Sequence, residues 1–259
     1  MNIEVMMTIV VSQRESIEWF NLWWENANFS NIKSALCIGD SVLRQVRGSL
    51  QNIMGVPCSF LGTSASYNDE MFFRELEFFF SFEEYKFSCI IIQLNSHGLK
   101  DFSYTEENYK RLFNLLQKRS KKIFVLSLTH VTFPNSQKDN FEVNELVLKA
   151  NAFTYQYCLK HQFPFLDLYN IMKNSGYRHV DHIHFERAAD VYMASEIGKF
   201  VINNSHKKSI KSFWGVTYIC ETKGKTLKFF GVSIYKYRKK KNYRISKILG
   251  IPFYVSYNR

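Results

Sequence analysis

The sequence predicts an α/β protein: a three-layer α/β/α sandwich around a five-stranded parallel sheet, followed by a small, basic, β-rich appendage. Three observations predict it. Short apolar runs alternate with helical patterns from residue 33 to about residue 203, which is how a parallel sheet with helices on both faces is encoded. One of those runs, FSCIIIQL at residues 87–94, is apolar almost throughout, as a strand covered on both faces must be. The charge balance then changes abruptly between residues 203 and 212, where a basic tail begins.

Residues 35–38 (ALCI) read as a short buried strand, and Gly39-Asp40-Ser41 lead into a helical pattern from residue 42 to about 54. Residues 57–61 form the second strand, ending at Gly62, and residues 87–94 the third. A helix over 106–117 precedes the strand at 122–128, and a long helix over 141–161 precedes the fifth strand at 164–168. The last helix runs from about 187 to 202. Ahead of the first strand, residues 16–29 carry Trp19, Trp23 and Trp24 and read as a helix packing on the body. Three regions follow: a Trp-rich helical segment at 1–32, the α/β domain at 33–206, and the tail at 207–259.

Composition narrows the class. The 259 residues are 46% hydrophobic and 17% aromatic, with only 11 Gly and 4 Pro, which excludes disordered and collagen-like chains. No apolar run approaches the ~18–20 residues that span a bilayer. The apolar patch at residues 6–11 follows Glu4 and has no Lys or Arg before it. It is unlike a secretory signal, so the expected location is cytoplasmic. Cysteines 37, 58, 89, 158 and 220 are widely spaced with no CxxC pair, as expected of reduced structural thiols. Of the 34 Lys and Arg, fourteen fall at 207–259 against a single acid, Glu221. The net charge of +11 therefore belongs to the tail, and the body is close to neutral. No nucleic-acid recognition motif accompanies it, which weighs against that partner.

In parallel α/β sheets, chemistry collects at the carboxyl ends of strands. Ser41 stands after the first strand where a helix begins, so backbone N–H groups and the helix dipole favour an anion beside it. Asn95-Ser96-His97 follow the third strand. Asp181-His182-Ile183-His184 precede the last helix. An aspartate three residues before a histidine can orient its imidazole while the other ring nitrogen faces a distant serine.

Ile38-Gly39-Asp40-Ser41 and Asp181-x-x-His184, with Gly62, Asn95 and Leu166-Asp167-Leu168-Tyr169 between them, resemble the motifs of the SGNH (GDSL-type) hydrolases over residues 33–203. The resemblance implies a flavodoxin-like sheet and a serine enzyme of acyl esters. It implies Ser41 as nucleophile, His184 as general base and Asp181 as its orienting carboxylate. The oxyanion hole would be the N–H of Ser41, the N–H of Gly62 and the side-chain amide of Asn95. The third block departs from the family's Gly-x-Asn-Asp, reading Gln93-Leu94-Asn95-Ser96. Asp40, His97, His130 and His182 are candidate substrate contacts. Asp167 reads as the end of the fifth strand. His179, His182 and His184 have a spacing that can ligate zinc, but no Cys or carboxylate cluster completes a site, and none is expected.

In the tail, Trp214-Gly215-Val216, Phe230-Gly231-Val232 and Leu249-Gly250-Ile251 repeat one pattern, with glycines 16 and 19 residues apart. Stacked β-hairpin units are expected. The pattern resembles basic Phe/Leu-Gly-Ile/Val repeats of bacterial enzymes of surface-polysaccharide assembly. Basic charge beside aromatics suits an anionic membrane surface or an anionic polymer. The function expected is O-acetyl transfer to a bacterial surface glycan, capsular or lipopolysaccharide, with acetyl-CoA as donor, at the inner face of the cell membrane. A carbohydrate O-acetylesterase is the alternative, and a non-catalytic glycan- or membrane-binding module a third class.

Overall fold

The computed structural model describes residues 20–23, 34–65, 67, 69–81, 87–94, 99 and 106–205, and the backbone of six strands between residues 209 and 257. The chain divides into two compact units, Met1–Val201 and Ile202–Arg259.

In the first unit, strands β1 (Phe20–Trp23), β2 (Ala35–Gly39), β3 (Cys58–Thr63), β4 (Cys89–Gln93), β5 (Ile123–Leu126) and β6 (Phe165–Leu166) form one sheet. Its spatial order is β1-β3-β2-β4-β5-β6. The five strands from β2 to β6 are parallel. β1 adds a sixth, antiparallel to β3, with Asn21 opposite Gly62. The expected helix is therefore a strand at residues 20–23; the rest of that segment lies outside the described residues. The reversal has a physical reason. Large aromatics suit a pleated, half-buried surface as well as a helix, and β3 would otherwise present an open edge.

Strand alternation sorts the side chains into two cores. Leu36, Ile38, Leu61, Ile90, Ile92, Ile123 and Val125 face one side. There they meet α2 (Glu70–Ser81), α3 (Glu106–Arg119) and α4 (Phe141–His161). Ala35, Cys37, Phe60, Cys89, Ile91, Phe124 and Leu126 face the other. Their partners there are α1 (Ser41–Met54), α5 (Leu168–Lys173) and α6 (Arg187–Ser205). A strand buried on both faces has no polar alternation, which is why the apolar runs were legible.

Two helices go beyond the expected set. α2 buries Phe72, Phe73, Leu76, Phe79 and Phe80, a spacing of three and four that marks one helix face. The fifth strand is shorter than expected because Asp167 starts α5, its Oδ1 accepting from Asn170 N at 3.2 Å. Asp167 is a helix cap rather than a strand end.

In the second unit, β7 (Ser209–Phe213), β8 (Val216–Glu221), β9 (Gly224–Phe229), β10 (Val232–Lys239), β11 (Tyr243–Ile248) and β12 (Ile251–Tyr257) form a separate antiparallel meander in chain order. The terminal pairs Phe213↔Val216, Phe229↔Val232 and Ile248↔Ile251 leave two residues between strands, the second always glycine. The hairpins expected from the repeats are thus hydrogen-bonded side by side in one sheet rather than stacked.

Close packing fixes where Ser41 stands. A Cβ on Gly39 would lie 3.0 Å from Leu43 Cδ2 and 3.2 Å from Gln93 O, so a side chain there would press β4 and the start of α1 apart by a few tenths of an ångström. Gly48, midway along α1, has nothing within 4 Å of such a Cβ. Gly39→Ala should therefore cost about 1–3 kcal/mol by overpacking. Gly48→Ala should gain roughly 0.5–1 kcal/mol from helix propensity. Urea unfolding midpoints at constant m-value check both; equal shifts of the two variants would remove the packing explanation.

Candidate active site

Asp40 ends β2 and caps α1. Its backbone is extended and its Oδ1 accepts from Val42 N at 2.9 Å. Through that bond the 3% exposed Asp40 orients the helix start. Ser41 is then the first helical residue, in the field of the positive helix end.

The partner comes from a loop 143 positions away. His184 Nε2 lies 2.6 Å from Ser41 Oγ, and His184 Nδ1 lies 2.7 Å from Asp181 Oδ2. Asp181 Oδ1 also accepts from Ile183 N and His184 N, both at 2.7 Å. Partial burial pushes the Asp181 carboxyl up, but the His184 side chain and the two backbone amides outweigh it and hold it at about 2. An ionised carboxylate only accepts, so Nδ1 carries the imidazole proton. Nε2 is then the lone-pair nitrogen, and Ser41 Oγ donates to it. The chain order is Ser, Asp, His, as expected.

The 179–185 loop is pinned from one side. Gln137 pairs with both backbone groups of His179: Nε2 donates to His179 O at 2.9 Å, and Oε1 accepts from His179 N at 3.0 Å. Thr132 N donates to His182 O at 3.0 Å, and Thr132 Oγ1 donates to Asp181 O at 3.5 Å. The supporting segment is itself held by α4. Asn144 brackets Val131 through both backbone groups, at 2.8 and 2.7 Å. Asn151, two turns later, brackets Leu128 in the same way, at 2.8 and 3.1 Å.

His130 and His179 lie beneath this loop. His179 Nε2 sits 3.2 Å from His130 O, and the two rings meet edge-on at 4.6 Å. Phe185 packs on both, at 4.1 Å from His179 and 5.4 Å from His130. His130 is 7% exposed, so it supports the loop from the core and does not line the cleft as a substrate contact. His182 is exposed. The three imidazoles at 179, 182 and 184 do not converge, and no described group of His, Cys, Asp or Glu is arranged to hold a metal.

Of the expected oxyanion donors, Gly62 lies inside β3 between Gly39 of β2 and Asn21 of β1. It stands near the carboxyl end of β3, level with Gly39, which is two residues before Ser41. Asn95 and His97 lie outside the described residues. The sequence reading did not find Gln137, Thr132, Asn144 or Asn151. The one available signal was the seven-residue spacing of the two asparagines on α4.

No protein-family model and no curated protein matches the sequence. Among solved structures, the chain is similar to Est24, a carbohydrate acetylesterase from Sinorhizobium meliloti, at 13% identity and TM-score 0.52, covering 66% of this chain and 99% of that one. Others are a lipolytic protein of the G-D-S-L family from Veillonella parvula (12%, TM-score 0.49, 66% and 96%) and the catalytic domain of Streptococcus pneumoniae peptidoglycan O-acetyltransferase A (17%, TM-score 0.42, 67% and 93%). The likeness to Est24 shows a shared α/β fold.

The buried histidine pair makes stability pH-dependent. Burial, then the neighbouring His179, lowers the His130 pKa from 6.5 to about 4; burial also lowers that of His179. The unfolded chain therefore binds protons that the folded chain refuses. Stability should fall as pH drops from 6.5 toward 4. Melting temperature followed across that range should show the decline. His130→Phe, which keeps a ring against Phe185, should flatten it; an unchanged slope would assign the effect elsewhere.

Proposed function

We propose that this chain is an SGNH-type serine enzyme of carbohydrate acyl esters, working through an acyl-serine intermediate on Ser41. The observation that carries the reading is the continuous line from Asp181 through His184 to Ser41 Oγ, with bonds of 2.7 and 2.6 Å. In the first half-reaction Ser41 Oγ attacks the ester carbonyl carbon while His184 Nε2 takes the hydroxyl proton. The carbonyl oxygen becomes an oxyanion beside the α1 N-terminus, where the Ser41 N–H and the Asn95 side-chain amide are the proposed donors. Asp181 stabilises the imidazolium. The tetrahedral species collapses, the bond from the acyl carbon to the leaving group breaks (C–O in an ester, C–S in acetyl-CoA), and His184 returns its proton to that group. In the second half-reaction an acceptor hydroxyl, deprotonated by His184, attacks the acyl-serine and frees Ser41.

The acceptor decides the name of the reaction. A sugar hydroxyl of a bacterial surface glycan, with an activated donor such as acetyl-CoA, makes the chain an O-acetyltransferase; the basic second unit supports this reading. Water makes it an O-acetylesterase, which the likeness to Est24 favours. Either way, Ser41→Ala should abolish turnover of a small acetyl ester by roughly 10³-fold or more, and His184→Ala nearly as much, because the group acts as a unit. Full activity in a folded Ser41→Ala protein would overturn the mechanism. Offering donor with and without polysaccharide, and weighing the polymer by mass spectrometry, separates the outcomes. Acylated polymer means transfer, and acid release indifferent to polymer means hydrolysis.

We also propose that the protein works in the cytoplasm with its second unit against an anionic leaflet. Among the described helices none is long and apolar enough to cross a membrane. The support is electrostatic: Lys236 and Lys247 stand directly opposite each other on β10 and β11. Like charges so placed destabilise a sheet by roughly 0.2–1 kcal/mol unless an anion relieves them. Lys247→Glu converts the pair to opposite charges. It should keep or raise thermal stability yet weaken binding to anionic vesicles, each basic side chain being worth about 1 kcal/mol there. Vesicle co-sedimentation at low and high salt measures this; binding unaffected by salt and by the substitution would remove the membrane role.

A further inference from the structure

α4 buries one face and leaves a second apolar face open. Asn144, Val147, Ala150, Thr154, Tyr157 and Cys158 are buried against the body. On the outer side Phe141 is 76% exposed, Leu148 47%, Tyr155 46% and Leu159 61%, with Ala152 also exposed. At about 100° per residue these five positions fall within a stripe roughly 60° wide, and at about 1.5 Å per residue it runs some 27 Å. Scattered surface apolar residues need no explanation, but five aligned along one helix face, interrupted only by Glu145, mark an interaction site.

The stripe has a pattern that matches itself. Phe141, Leu148 and Tyr155 repeat every seven residues, and Glu145, Ala152 and Leu159 repeat every seven in the alternate position, the a and d arrangement of paired helices. Turn a second α4 antiparallel about a two-fold axis level with Ala150, and all three layers fall into register at once. Phe141 then meets Leu159 of the second copy, Leu148 meets Ala152, and Glu145 meets Tyr155. The small Ala152 is opposite Leu148, next to the axis.

Charge selects the same orientation. Glu142 and Glu145 lie in the first half of α4, and Lys160 and His161 in its last turn. Antiparallel helices set the acidic end of one copy beside the end of the other that carries Lys160, whose ammonium is shared with Glu106 at 2.5 Å, and oppose their dipoles. Parallel helices would set like against like. Glu145, which enters a layer, is already neutralised by Lys149 at 2.7 Å. Tyr155 is braced by the Phe165 ring at 5.4 Å, so part of the surface is ordered before association.

We propose that α4 is a homodimer interface, in which two copies of this chain pair antiparallel through Phe141, Leu148, Ala152, Tyr155 and Leu159. The interface is isologous, as two-fold dimers require. It stands independently of the reaction proposed for Ser41.

Sedimentation equilibrium of the full chain over a range of concentrations tests it. The expected result is a reversible monomer–dimer equilibrium whose dissociation constant rises about tenfold or more in Leu148→Glu, as for loss of a central interface residue. Leu148 faces outward, so the variant should keep its circular dichroism spectrum and melting temperature. Lys149→Cys places a thiol near the two-fold axis and should be joined to its own copy by a short bismaleimide in clear excess over the wild-type chain. Three outcomes each overturn the proposal: a monomer at every concentration, as when the stripe is covered by this chain's own second unit; a dimer indifferent to Leu148→Glu; and no added cross-linking at position 149.

Discussion

Side-chain amides that satisfy both backbone groups of a single loop residue are the constraint on which the active-site geometry depends. Asn144 does this for Val131, Asn151 for Leu128 and Gln137 for His179. A loop residue has no ladder to occupy its N–H and C=O, and leaving them buried and unpaired costs about 1–3 kcal/mol each. An amide side chain offers one donor and one acceptor at the spacing of a backbone partner. It thus acts as a one-residue strand. Through these pairs the rigidity of α4 passes to residues 128–137 and from there to the loop carrying Asp181 and His184.

That support lets a mostly local device work at long range. Asp181 closes a tight turn on itself by taking the amides of Ile183 and His184, and the same carboxylate holds the imidazole. Three donors converging on one carboxylate explain why it stays ionised near a pKa of about 2 despite partial burial. With the tautomer fixed, the remaining task is to keep Nε2 beside Ser41 Oγ. The other half of the geometry is set by β2, where Gly39 permits the close approach and Asp40 starts the helix.

The two units have separate chemistries. The first carries every group of the proposed reaction in a nearly neutral frame. The second is an antiparallel meander with most of the excess basic charge and no described connection to the catalytic groups. The outer stripe of α4 adds a further surface. One helix would then join loop support on its inner side to self-association on its outer side.

What the sequence determined by itself was whatever depends on near neighbours. Strands buried on both faces announced themselves as apolar runs, and the Gly39-Asp40-Ser41 and Asp181-x-x-His184 spacings encoded a helix start and a self-closing turn. α2 had an equally regular spacing, at Phe72, Phe73, Leu76, Phe79 and Phe80, and Asp69 caps its start by accepting from Met71 N at 2.9 Å, but an aromatic-rich run has weak helix propensity and suits a buried strand as well. Tertiary structure alone decided the rest. Residues 20–23 became a strand because β3 needed an edge partner. His130 went into the core, because His179 and Phe185 fold back over it. Gln137, Thr132, Asn144 and Asn151 carried no legible role, since an amide or hydroxyl on a helix or loop has the same local pattern whether it meets water or a distant backbone. Which of these occurs depends on contacts between residues tens of positions apart, and these exist only once the sheet has brought the strand ends together.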